Sequence, residues 1–153
     1  MAKFYITTPA YYPNNVPHLG HAYTTIIADA LARWHRLSLG EKNVMFISGL
    51  DEHGEKIETT AREHKVEPQQ FVNDMAKNFQ KTWKLLNISY DGSIRTSDQE
   101  HIKVVYEVYK RIYDNGDIYK GFYEDWYCVP CESFWTESQL INNKCPDCNR
   151  AVK

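Results

Sequence analysis

All four cysteines of this 153-residue chain fall within its last 26 residues, as the pairs Cys128-Val-Pro-Cys131 and Cys145-Pro-Asp-Cys148 with 13 residues between them. No other feature constrains the fold so strongly, because each pair must bring two sulfurs to one spot. A disulfide framework would spread its cysteines through a small secreted chain. Clustering in pairs points to metal. Four thiolates in two such pairs surround one Zn²⁺ tetrahedrally and leave no open position. The expected site on Cys128, Cys131, Cys145 and Cys148 is therefore structural. It would staple an aromatic-rich knuckle too small to bury a core of its own. The competing explanation is four reduced, unrelated cysteines.

The rest of the chain is long enough for one domain with a real core, and its composition agrees, at 42% hydrophobic and 25% charged. The β-branched and aromatic run over 3–8 predicts a strand that Pro9 ends. Pro13, Asn14, Asn15 and Pro17 make 10–17 a loop. Ile27, Leu31, Trp34 and Leu37 recur at helical spacing and predict a helix over 19–37, with Gly40 as its stop. A nearly continuous apolar run at 43–48 predicts a second strand covered on both faces. A polar helix is expected over 55–64. Pro68 opens another, whose apolar stripe is Phe71, Met75, Phe79 and Trp83, ending near Leu86. Residues 87–94 are short and mixed. Ser97 and Glu100 fit a capping box for a helix reaching Asn115 on Ile102, Val105, Tyr109 and Ile112. From Asp117 to Tyr127 the pattern is aromatic and strand-like. Strand, helix, strand, then helices: this begins a parallel α/β sheet, with a boundary near 114–117.

The charge balance narrows the function. With 18 basic and 20 acidic residues, net charge −2, the chain has no basic cluster of the kind that grips nucleic acid. No stretch is long enough to cross a bilayer, and the N-terminus has no signal-peptide pattern. A cytoplasmic protein with no membrane partner is expected.

His18-Leu-Gly-His21 stands between the first strand and the first helix, where open α/β sheets bind their ligands. The helix start offers unpaired N–H groups and a positive dipole end, which suit phosphate. Two imidazoles three residues apart can donate to phosphate oxygens as charge builds in a transition state. Two surface histidines near a cap are the plainer alternative. The segment Pro9-Ala-Tyr-Tyr-Pro-Asn-Asn-Val-Pro-His-Leu-Gly-His21 resembles the signature of class I aminoacyl-tRNA synthetases, in the form that the methionyl family carries. The resemblance implies a Rossmann-like parallel sheet. It implies formation of an aminoacyl adenylate from methionine and ATP, with Mg as the nucleotide's companion, then transfer to the 3′-terminal ribose of tRNA(Met). It also implies that His18 and His21 act on the α-phosphate, and that Gly20 makes room for the nucleotide.

Leu50-Asp-Glu-His-Gly-Glu-Lys56 follows the second strand on the same sheet edge and resembles the corresponding segment of that family. By the resemblance, Asp51 holds the amino group of methionine, and Tyr12 with the backbone of Pro9 and Ala10 lines the side-chain pocket. A thioether suits such an apolar, aromatic wall. His53 would either face the nucleotide or make a local hydrogen bond. Arg95-Thr-Ser-Asp98 with His101 resembles a further family segment and is given no catalytic role. Gly121-Phe-Tyr-Glu-Asp-Trp-Tyr127 resembles the entry to the family's zinc-binding insertion.

The expected organisation is thus 1–116, the first part of a Rossmann-like catalytic domain, and 117–153, the start of a zinc-binding insertion. The lysine-rich second signature that clamps ATP, and the anticodon-binding domain, do not occur in the 153 residues. The chain by itself is expected to be inactive. Three rival readings are open to the same motifs. A nucleotidyltransferase with a His-x-Gly-His turn would not need Tyr12, Asp51 or the knuckle. A zinc ribbon contacting nucleic acid predicts a basic knuckle, yet 124–150 sets Lys144 and Arg150 against Glu124, Asp125, Glu132, Glu137 and Asp147. Leucyl, isoleucyl and valyl relatives share the first motif, and the knuckle and the Asp51 segment favour the methionyl family over them.

Overall fold

A computed structural model describes residues 2–153. They form two compact units, residues 2–110 and 111–153.

The first unit is an α/β layer built on a parallel sheet. Strands β1 (Phe4–Tyr11), β2 (Val44–Leu50) and β3 (Gly92–Arg95) lie in the order β1-β2-β3, all parallel. Helix α1 (Leu19–Leu39) crosses from β1 to β2. Helices α2 (Glu55–Glu63) and α3 (Pro68–Leu85) cross from β2 to β3. Helix α4 (Gln99–Asp114) follows β3. The α/β expectation holds, as does the crossover from β1 to β2 through α1.

Four details differ from the sequence reading, each for a physical reason. Strand β1 does not stop at Pro9 but runs to Tyr11, with an irregular register between Thr7 and Ala10. Pro9 lacks an N–H to give the ladder, and sits where the pairing is already interrupted. The predicted α1 stripe is not the core face. Ile27, Leu31, Trp34 and Leu37 are exposed, Leu37 by 88%, whereas Ala28 and Ala32 are buried. Small side chains let the helix lie close to the sheet, packed with Val44 and Phe46. The mixed stretch 87–94 holds the first three residues of β3, a strand whose four residues are too few to show an alternation. Finally, α4 starts at Gln99, with Ile102 N–H bonded to the Asp98 carbonyl at 3.0 Å. The Ser97 hydroxyl is turned to Glu52 rather than to the helix end.

The α3 reading fares better: Phe71, Phe79 and Trp83 are buried along one face. Phe79 and Trp83 join Tyr11 and Leu50, the last residues of β1 and β2, in one buried cluster.

The second unit contains the antiparallel hairpin of β4 (Trp126–Cys128) and β5 (Ser133–Trp135). The strand-like character expected over 117–127 is confined to the last two of those residues, because 117–125 find no pairing partner among the described residues.

Candidate active site and cysteine cluster

The parallel register places the C-terminal ends of β1 and β2 side by side, with Ala10 opposite Gly49 and Tyr11 opposite Leu50. The Asp51 N–H then donates to the Tyr11 carbonyl at 2.8 Å. Pro9, Ala10 and Asp51 are all exposed at this edge. Tyr12 is partly buried against the α2–α3 cluster of Ile57, Ala61, Phe71 and Val72. Lys56 Nζ stands 6.0 Å above its ring.

Seven residues beyond Tyr11, the two histidines form the cap of α1. His18 is the N-cap, and its Nδ1 accepts the Gly20 N–H at 3.0 Å. In return the His18 N–H donates to His21 Nδ1 at 3.2 Å. This is a capping box with imidazoles in place of the usual hydroxyl and carboxamide. It has a chemical consequence. A ring nitrogen that accepts carries no proton, so each neutral imidazole keeps its proton on Nε2. The rings stack at 3.7 Å. Burial first, and then the charge of His18, hold the His21 imidazole below the ordinary histidine range. Gly20 is required by the cap itself: a Cβ there would lie 2.9 Å from His18 Cε1 and 3.1 Å from its Nδ1.

Tyr11 joins the two halves of the site. Its carbonyl holds the Asp51 backbone, and its ring meets His21 edge-on at 4.9 Å. Its hydroxyl pairs with Thr25 Oγ1 at 2.7 Å, and the Thr25 hydroxyl donates to the His21 carbonyl at 2.8 Å. Phe79 lies 5.4 Å from the His21 ring and stacks with Tyr11 at 6.0 Å. The sequence reading passed over Tyr11 in favour of Tyr12. The available signal was strand alternation, which sends neighbouring side chains to opposite faces.

His53 lies beside Thr96, with Nε2 3.3 Å from its carbonyl, the geometry of a local hydrogen bond. Sequence reasoning missed Glu52, which is 4% exposed and takes Arg95 Nε on Oε1 at 2.7 Å. Nothing in the sequence separates Glu52 from the exposed acids around it.

In the second unit the sulfurs of Cys128, Cys131, Cys145 and Cys148 all lie within 4.8 Å of one another. Cys128 and Cys148 are 3.6 Å apart, Cys131 and Cys145 3.8 Å. A tetrahedron with metal–sulfur bonds of about 2.3 Å has edges of about 3.8 Å, so the donor set fits a zinc ion. Each Cys-x-x-Cys turn is closed by a residue in the left-handed region, Glu132 (φ 53) and Asn149 (φ 56). Burial alone would push the Cys145 thiol up, but backbone N–H groups of Cys148 and Asp147 bring it down to about 7. Cys131 is pushed up to about 12 by its contact with Cys148 and by burial.

The family model described as tRNA synthetases class I (M) matches residues 4–153. The chain belongs to that family. A methionine–tRNA ligase of Caldanaerobacter subterraneus is 53% identical over 150 residues, covering 98% of this chain and 23% of the relative. The class I chain thus spans about a quarter of the length of such curated relatives. The Mycobacterium tuberculosis methionyl-tRNA synthetase in complex with methionyl-adenylate superposes with a TM-score of 0.89 at 38% identity, covering 100% of this chain and 30% of that one. The ternary complex of Agrobacterium radiobacter LeuRS with tRNA and LeuAMS gives a TM-score of 0.78 at 22% identity, which shows a shared fold. Among the described residues of this synthetase-family chain, no helix is long and apolar enough to cross a membrane.

Proposed function

We propose that this chain is the N-terminal, nucleotide- and methionine-binding part of a cytoplasmic methionine–tRNA ligase, which forms methionyl-adenylate from methionine and MgATP and passes it to tRNA(Met). The observation that carries the reading is the imidazole capping box at the end of β1, tied through Tyr11 to the Asp51 turn. The identity to methionine–tRNA ligases over nearly the whole chain supports it. Residues 1–116 would belong to the catalytic domain and 117–153 to a zinc-binding insertion.

In this reading His18 and His21 present Nε2–H donors, set by their capped Nδ1 atoms, to the α-phosphate. Donors fixed in advance stabilise charge that develops during attack without reorganising. The adjoining helix start adds its N–H groups and dipole. Gly20 keeps the His18 ring in place and leaves the nucleotide close to the backbone. Asp51 supplies an anion for the methionine ammonium group, whose burial without a partner would be costly. Pro9, Ala10 and Tyr12 line the thioether pocket. Cys128, Cys131, Cys145 and Cys148 would hold one zinc ion, whose contribution is to fix the knuckle rather than to enter the reaction.

The test uses the intact enzyme and methionine-dependent ATP–pyrophosphate exchange. His21→Ala is expected to slow exchange far more than it weakens methionine binding, because its contact is made as transition-state charge appears. Weaker methionine binding at an unchanged exchange rate would overturn the assignment.

A further inference from the structure

Asp51 and Glu52 are adjacent carboxylates with opposite environments. Asp51 is exposed at the ligand edge, whereas the Glu52 side chain is wholly buried, at 0%. A carboxylate taken out of water must be fully partnered to be tolerable, and Glu52 is. Oε1 accepts from Arg95 Nε at 2.7 Å, and Oε2 accepts from the Ser97 hydroxyl. The Arg95 fork is shared, since its second arm donates to Asn73 Oδ1 on α3 at 2.7 Å. The same two segments also meet through the backbone. Thr96 N–H donates to the Leu50 carbonyl at 3.1 Å, and Glu52 N–H to Thr96 Oγ1 at 2.8 Å. Asp51 is therefore held from both sides, by Leu50 before it and Glu52 after it, while its own N–H is fixed on Tyr11.

This arrangement gives the segment Arg95–Asp98 a purpose that its sequence does not reveal. From it we infer that Glu52, clamped by Arg95 and Ser97, is a positioning residue that sets the Asp51 carboxylate for the methionine ammonium group. The Glu52 carboxylate cannot touch a ligand, because the side chain has no exposed surface. It acts by fixing the turn that carries Asp51. The clamp ties the turn after β2, which carries Glu52, to Arg95 at the end of β3, to Asn73 on α3 and to Ser97 in the β3–α4 turn, so it registers that turn against the body of the sheet. A single charged Glu fits both donors at once, whereas a neutral side chain satisfies the fork less well. The inference rests on the reading of Asp51 given above.

The experiment uses the intact synthetase and four forms: wild type, Asp51→Ala, Glu52→Gln and the double variant. Methionine and an analogue lacking its amine are titrated against each, and KM for methionine, KM for ATP and kcat are measured by pyrophosphate exchange. Displacing a binding group by a fraction of an ångström to an ångström costs up to about 100-fold. Glu52→Gln is thus expected to raise KM for methionine about tenfold or more, with KM for ATP changed less than about threefold. Affinity for the amine-free analogue should stay near that of wild type. The double variant should bind methionine no worse than Asp51→Ala alone, because Glu52 acts through Asp51. Additive losses, or equal losses for both ligands, would show a general structural role and overturn the proposal. Should Glu52→Gln fail to fold, Ser97→Ala removes one arm of the clamp and is expected to reproduce the selective rise in milder form; unchanged methionine KM in Ser97→Ala would then refute it. If Asp51→Ala leaves methionine binding intact, the reading of the site falls, and this proposal with it. If Asp51→Ala weakens methionine but Glu52→Gln does not, only the positioning role falls.

Discussion

Gly54 offers the sharpest test of how the proposed methionine side of the site is built. It is the residue before α2, at φ 126 and ψ 161, a region that only glycine enters readily. A Cβ at this position would overlap the Tyr12 hydroxyl, with the ring Cζ at 3.4 Å and Cε2 at 3.7 Å. Gly54→Ala therefore carries two separable penalties. The backbone penalty is about 1–3 kcal/mol. The steric one is confined to the hydroxyl, since the ring atoms stand at ordinary contact distance. If the turn relaxes out of its binding conformation, affinity falls with the competent fraction, so the backbone penalty alone weakens methionine by about 5- to 150-fold. Tyr12→Phe removes the overlapping atom but leaves φ untouched. The double variant Gly54→Ala/Tyr12→Phe should then recover part of the loss, with a favourable coupling of about 0.5–3 kcal/mol for residues in contact. The assay is methionine KM in pyrophosphate exchange across the four-member cycle, with amide hydrogen exchange of residues 52–57 as a local readout. Unaltered KM and unaltered exchange in Gly54→Ala would refute the backbone argument. Strictly additive free energies would refute the contact with Tyr12.

Three further outcomes follow from particular residues. His21 should titrate below the ordinary histidine value of about 6.5, because burial and His18 oppose its charge; a depressed pKa means the unfolded chain binds the proton more readily, so the stability His21 contributes is present above about pH 6.5 and is lost as pH falls through its folded value. Imidazole NMR titration checks this, and a midpoint at or above 6.5 would contradict it. Phe79→Ala, at a position 1% exposed that packs on Tyr11, Trp83 and His21, should destabilise the first unit by about 3–5 kcal/mol, read from hydrogen exchange of α3 amides. Metal analysis of chelator-free protein should find one zinc per chain, and chelation should free four thiols and abolish the protection of the β4–β5 amides; four freely titrating thiols in untreated protein would sink the cluster reading.

Sequence alone determined the features whose cause is local. The α/β order, the Pro68 start of α3, the buried stripe of Phe71, Phe79 and Trp83, and the two Cys-x-x-Cys turns all depend on spacing within one segment. The placement of His18, Gly20 and His21 at a strand–helix junction was legible for the same reason, since a capping box closes within four residues. Tertiary structure alone decided what depends on a partner far along the chain. Which face of α1 is buried was settled by close approach to β2, where Ala28 and Ala32 fit and Leu31 would not, and by a polar network in which Asp29 holds Ser89. Strand β3 exists because β2 supplies its hydrogen bonds. Tyr11 joins Asp51 to His21 only once parallel pairing sets the two strand ends side by side. Glu52 and Asp51 are indistinguishable acids in sequence. One is buried and the other is not because Arg95 and Ser97, more than 40 residues later, fold back onto Glu52, and only a charge with partners can leave water.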